Sequence, residues 1–120
     1  MAPVTQDVTD QMVEDILTTA FEGGVNYWVY TVQPSYFPKG ASYAAEVLTK
    51  PILDFSAKPV IVLRTFEGTE HTLTLELAQK GIAIAAQKRE MSLNDFYEQH
   101  DAADADNVVQ YALFDEIIYS

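Results

Sequence analysis

The sequence predicts an α+β domain, a small antiparallel sheet packed by about three to four helices. Three observations lead there. Apolar residues recur at helical spacing near the start and again through the last third of the chain. Two β-rich runs in the middle flank a short glycine-containing connection. Strand-like and helix-like patterns are segregated along the chain instead of alternating, which favours an antiparallel sheet over βαβ units.

The first periodic segment is Asp10–Glu22, where Met12, Val13, Ile16, Leu17, Ala20 and Phe21 form one apolar stripe. Thr9 or Asp10 can cap its start, and Gly23 and Gly24 offer the left-handed conformation that commonly ends a helix. "VNYWVYTV" then reads as a central strand. Val25, Tyr27 and Val29 share one face, and Asn26, Trp28, Tyr30 and Val32 share the other. "QPSYFPKGAS" is a surface loop by its prolines and glycine. "YAAEVL" reads as a short strand, with a helical turn as its alternative. "VIVLRTF" and "HTLTL" flank "EGTE" as a hairpin.

A helix follows over "LELAQKGIAIAAQKR", with Thr74 as its cap, Leu75, Ala78 and Ile82 on one face, and Lys88 and Arg89 at its negative end. Gly81 inside it disfavours helix by about 1 kcal/mol against alanine, which points to close packing there. Ser92 and Asp95 open a short helix, Leu93–Gln99. The last helix spans about Ala103–Phe114, burying Ala105, Val108, Val109, Ala112 and Leu113. "EIIY" reads as a short closing strand.

At 120 residues the chain fits one domain, residues 1–120, with no internal repeat. No run approaches the roughly 20 apolar residues that span a bilayer. "MAPVTQDVTD" has no basic cluster leading into an apolar run, so no secretory leader is expected. The absence of cysteine removes disulfides, thiol catalysis and thiolate metal sites.

Charge is the strongest compositional signal. The formal net charge is −11. Residues 1–38 hold five acids and no base, residues 39–89 hold seven bases and five acids, and residues 90–120 hold eight acids and no base. Both ends are acidic. Phosphate backbones and anionic membranes are disfavoured partners; a basic protein surface is favoured.

"DILTTAFEGGVNYW" near the start and "DADNVVQYALFDEIIY" at the end resemble a group of short phage-encoded proteins frequent in actinobacteriophages. In that group a helix leads into an E-G-G-[IV]-N-Y-W segment, and the chain closes on a D-A-D…[IV]-V-Q-x-A-L-F-G-E-[IV]-[IV]-Y pattern. "LTLELAQKGIAIAA" is similar in character, so the resemblance extends over most of the chain. Asp115 departs from the pattern, which has glycine there, the residue that a special turn favours. The resemblance implies phage or prophage origin and cytoplasmic action in a bacterial host. It implies no activity.

Two sets of candidate residues follow. Asp10, Glu14 and Asp15 on the first helix, with Asp95, Glu98, Asp101, Asp104 and Asp106, would form one negative surface if the chain ends meet. Such a surface can imitate a row of phosphates and occupy a basic groove, with Tyr36 and Phe37 anchoring the contact. The plainer reading is a solubilising surface, with the acids near residue 104 serving as helix caps. The second set is Asn26, Tyr27, Trp28, Tyr30 and Arg64, which could hold a nucleotide-like anion by stacking and charge. Its plainer reading is core rings and a structural ion pair at Arg64. A third possibility is a homo-oligomer joined through the aromatic strand or "EIIYS".

No cofactor or metal is expected. Asp104 and Asp106 lack the spacing of a calcium loop. His71 and His100 lie in no nucleophile-elbow context, and Glu67 and Glu70 suit a solvated turn better than glycosidic chemistry. The expectation is a non-enzymatic protein.

Overall fold

The computed structural model describes residues 7–34, 44–49 and 59–120. Helix α1 (Asp10–Thr19) runs into a π-helical turn (Ala20–Gly24) and then strand β1 (Val29–Pro34). A 3₁₀ turn (Ala44–Glu46) precedes strands β2 (Ile61–Thr65) and β3 (Glu70–Leu73). Helices α2 (Leu75–Lys88), α3 (Leu93–Gln99) and α4 (Ala102–Phe114) complete the described chain. This is the α+β class with an antiparallel sheet.

A side chain caps the start of each of α1 to α4. The Thr9 hydroxyl accepts the Met12 N–H at 3.2 Å and Thr74 accepts that of Leu77 at 3.2 Å. Ser92 accepts the Asp95 N–H at 3.1 Å. At α4 the arrangement is reciprocal: Asp101 accepts the Asp104 N–H at 2.9 Å, and Asp104 accepts the Asp101 N–H at 3.2 Å. Each pair satisfies donors that the first helical turn leaves open.

The sheet order is β1-β2-β3, both pairings antiparallel. Alternation along β2 turns Ile61, Leu63 and Thr65 inward and leaves Arg64 exposed. Val29 and Leu73 join the inner face. Against it pack α2 and α4, through Ala78, Ile82, Val108, Val109 and Ala112. The two helices approach closely at Gly81, where an added Cβ would stand 2.3 Å from the Val108 carbonyl oxygen and 3.0 Å from the Ala112 Cβ. The internal glycine is therefore a packing requirement, as its cost to the helix suggests.

Four local expectations are corrected. β1 is an edge strand of the described sheet, and it starts at Val29. Before it, the Trp28 and Val29 N–H groups both bond back to the Val25 carbonyl, at 3.0 and 2.9 Å. That is one helical turn, so Val25, Trp28 and Val29 are buried together while Tyr27 is half exposed. Strict alternation does not hold there.

"YAAEVL" contributes a 3₁₀ turn, not a strand, over its described residues, with Ala45, Val47 and Leu48 buried. "EIIY" forms no strand; it returns along α4 as an extended tail. Among the described residues the only glycine with a left-handed φ is Gly68, so Gly23 and Gly24 do not end α1 by that route. Asp115 does adopt a left-handed φ of 61°, making the turn without glycine, and it pairs with Lys80 at 2.9 Å.

Gly24 is required by proximity. A Cβ there would stand 2.6 Å from the Ala102 carbonyl oxygen, whereas one at Gly23 meets nothing within 4 Å. Gly24→Ala is expected to destabilise by about 2 kcal/mol, while Gly23→Ala leaves stability unchanged or raises it slightly. Calorimetric unfolding of both variants checks this, and equal losses would rule out packing as the cause.

Candidate functional site

The aromatic segment after α1 and the last helix with its tail meet in one buried polar cluster. Asp106 and Gln110 stand four residues apart on α4, on one face, and are 7% and 0% exposed. The Trp28 indole Nε1–H donates to Asp106 Oδ1 at 2.8 Å, and the Gln110 amide donates to the same oxygen at 2.9 Å. The Tyr27 hydroxyl donates to Asp106 Oδ2 at 2.6 Å. All three donors are neutral, and no base contacts this carboxylate among the described residues.

Gln110 uses its remaining capacity on the returning tail. Its Oε1 accepts the N–H groups of Ile118 and Tyr119, each at 2.8 Å, and its amide donates to the Tyr119 carbonyl at 3.0 Å. The Tyr119 ring then lies flat on Trp28, with centroids 4.6 Å apart and planes 8° from parallel. Phe114 packs at a tilt against both. Trp28 is thus held on its edge by one hydrogen bond and on its face by a ring.

Tyr27 is the outward member. Its ring is 50% exposed. It borders an open depression of about 470 Å³, lined also by Asp106, Gly23, Ala102, Ala103 and Asn107. Partial burial, followed by the neighbouring Asp106 carboxylate, pushes the Tyr27 phenol up to about 12. A phenol raised in the folded state contributes stability that is full below its ordinary value of 10.0 and lost as pH rises through about 12. The alkaline ultraviolet titration of wild type minus that of Tyr27→Phe is therefore expected to show one phenol ionising near 12. A difference centred near 10 would remove the Asp106 contact.

The acids of the first candidate set separate into three groups. Asp104 and Asp106 are buried, so neither adds to a broad acidic surface; Asp106 reaches only the lining of the depression beside Tyr27. Asp104 accepts Arg89 Nη1 at 2.7 Å besides its capping bond; Asp106 serves the cluster above. Glu14 is half buried and accepts the Thr49 hydroxyl.

The remaining acids, Asp10, Asp15, Asp95, Glu98 and Asp101, reach the surface in whole or part. Asp15 of α1 accepts the Tyr97 hydroxyl of α3 and the Gln11 amide. Next to it, His100 Nδ1–H donates to the Tyr97 carbonyl at 2.6 Å, and Nε2 shares a bond with Thr19 of α1 at 3.1 Å. The α1–α3 seam therefore brings Asp15 from one end of the chain and Glu98 from the other to the same ring, Tyr97. Tyr97 is raised above its ordinary value, first by its bond to Asp15. The Asp104 backbone N–H holds the Asp101 carboxyl below the usual range. Tyr36 and Phe37 lie outside the described residues.

The second set is not brought together. Trp28 is 3% exposed and its face is covered by Tyr119. Arg64 sits on the outer side of β2, paired with Glu70 at 3.4 Å, and borders a different, smaller depression with Thr31 and Gln33. Tyr30 points outward and pairs with Phe66, centroids 5.5 Å apart. Asn26 is exposed. Glu67 meets Tyr119 and Glu70 meets Arg64, so the two turn carboxylates serve separate contacts. His71 rests edge-on against Phe114. Among the described residues no three His, Cys, Asp or Glu side chains converge as metal ligands, and no helix is long and apolar enough to cross a membrane.

Sequence reasoning missed Gln110 and Tyr119. The signal for Gln110 was present: a polar residue inside an apolar stripe, four positions after an acid on the same helix face. Compared with protein families, with curated proteins and with solved structures, the chain matches none.

Proposed function

We propose that this chain is a small, non-enzymatic binding protein of phage type, acting in the bacterial cytoplasm by occupying a basic site on a host protein. The carrying observation is the α1–α3 seam, where acids from both ends of the chain adjoin. Neither Asp95 nor Glu98 has an ion-pair partner among the described residues. Such a surface accelerates encounter with a basic groove of a nuclease or other nucleic-acid-binding protein and disfavours anionic partners. The resemblance to short phage proteins supports the setting. A protein that acts by occupying a basic groove on its partner needs a surface of this kind.

The test compares the wild type with an Asp95→Asn, Glu98→Gln double variant as bait in host lysate. Expected is a captured protein with a basic surface, lost at high salt and captured about tenfold more slowly by the variant at low salt. Capture that is indifferent to both salt and variant would overturn the reading.

A second reading, a homo-oligomer, is carried by the outward rings Tyr30 and Phe66, 65% and 63% exposed. Light scattering showing a multiple of 13.4 kDa that reverts to monomer on Phe66→Ser would support it. A monomer at all concentrations would remove it.

A further inference from the structure

Asp106 is an unusual group for its place. A buried carboxylate ordinarily has a cation or a set of donors that fills its acceptor positions. Asp106 has neutral donors alone: two on Oδ1, from Trp28 and Gln110, and one on Oδ2, from Tyr27. A carboxylate offers roughly four acceptor positions, so one on Oδ2 remains, and no cation contacts the group among the described residues. Asp106 is among the residues that line the depression beside Tyr27.

The walls define what fits. Gly23, Ala102 and Ala103 are small and uncharged, and the half-exposed Tyr27 ring offers a face. Asn107 adds a neutral polar group at the margin. Ile117, Tyr119 and Ser120 complete the lining. A carboxylate beside an aromatic face suits a planar cation. Guanidinium is planar, weakly hydrated, stacks on rings and still donates in its plane; an ammonium holds its water more strongly. Among the described residues no three acidic or imidazole side chains converge here to hold a divalent ion, which needs six or more oxygens.

We infer that the depression over Asp106 receives the guanidinium of an arginine side chain presented by a basic partner protein, stacked on Tyr27 and bonded to Asp106. This rests on the reading of the chain as a binder of basic proteins, and gives that reading a specific anchor. The seam acids bring the partner in by long-range attraction; the depression holds one residue of it.

Trp28 is the chain's only tryptophan and shares Asp106 with the incoming group, so its fluorescence is a local reporter. The probes are acetyl-Gly-Arg-Gly-amide and the same peptide with citrulline, which keeps the shape and lacks the charge. Expected is a saturable fluorescence change with the arginine peptide and at least about tenfold weaker binding of the citrulline peptide. Amide NMR shifts at Gly23, Gly24 and Asn107 provide a second readout.

Gly23→Leu adds a bulky side chain at a residue that lines the depression, where the backbone accepts a Cβ with nothing within 4 Å. It is expected to abolish peptide binding with the unfolding midpoint unchanged. Equal responses to the two peptides, no saturable response by either readout, or wild-type binding by Gly23→Leu would each overturn the inference. Lysate capture separates this from the broader reading. If Gly23→Leu captures as wild type while the Asp95→Asn, Glu98→Gln variant fails, the anchor falls and the acidic surface stands. If the variant captures as wild type and Gly23→Leu fails, the surface falls and the anchor stands.

Discussion

Asp106→Ala is expected to destabilise the protein by about 3 kcal/mol. The substitution leaves the Trp28 Nε1–H without its acceptor in a site that is 3% exposed. It also frees one amide hydrogen of Gln110, while that residue keeps its bonds to the tail. Tyr27 is half exposed and finds water instead. The loss is therefore dominated by one stranded indole and by loosening of the network behind it. Asp106→Asn retains an acceptor for Trp28 and is expected to lose about half as much. Urea unfolding followed by tryptophan fluorescence measures both. A loss under about 1 kcal/mol for the alanine variant would mean that the cluster contributes little to the fold.

Gly81→Ala is the second large effect, expected at about 3 kcal/mol net. Alanine favours helix over glycine by about 1 kcal/mol, so a packing-blind view predicts stabilisation. The contact overrides this. A methyl group 2.3 Å from the Val108 carbonyl oxygen cannot be relieved by turning a side chain, because the obstacle is backbone. Helices α2 and α4 must separate, and the core between Ala78, Ile82, Val108 and Ala112 opens with them. Denaturant midpoints would show the sign at once: a gain in stability would mean that the two helices are not in contact at this residue.

Much of this architecture was legible because it is local. The helix starts follow from Thr9, Thr74, Ser92 and Asp101, each a short polar side chain before an apolar stripe. The hairpin follows from two β-rich runs around Gly68. The aromatic segment was misread as a strand throughout because its apolar positions satisfy two periods. Val25, Trp28, Val29 and Val32 fit a helical turn as well as they fit an irregular strand. Bonds to Asp106, from far along the chain, are part of what settles the matter, and no local pattern contains them.

Two of the acids, Asp104 and Asp106, leave the surface for a related reason. Asp95 and Asp106 are the same residue type in the same acidic stretch. One is exposed, while the other faces the Trp28 edge because α4 turns it toward Gln110. Spacing on the helix placed Asp106 and Gln110 together; the arrival of Tyr27 and Trp28 is tertiary.

The bonds from Asp106 to Tyr27 and Trp28 join residues 79 and 78 positions apart. During synthesis, the indole has no seat until the ribosome has released the last helix. Contacts of such long reach form late, because the intervening chain must be closed into a loop first. The opening third of the nascent polypeptide thus waits, with its large apolar rings unhoused, for the finishing stretch to emerge. Arrest of translation anywhere before α4 would leave a product prone to clump or to be degraded.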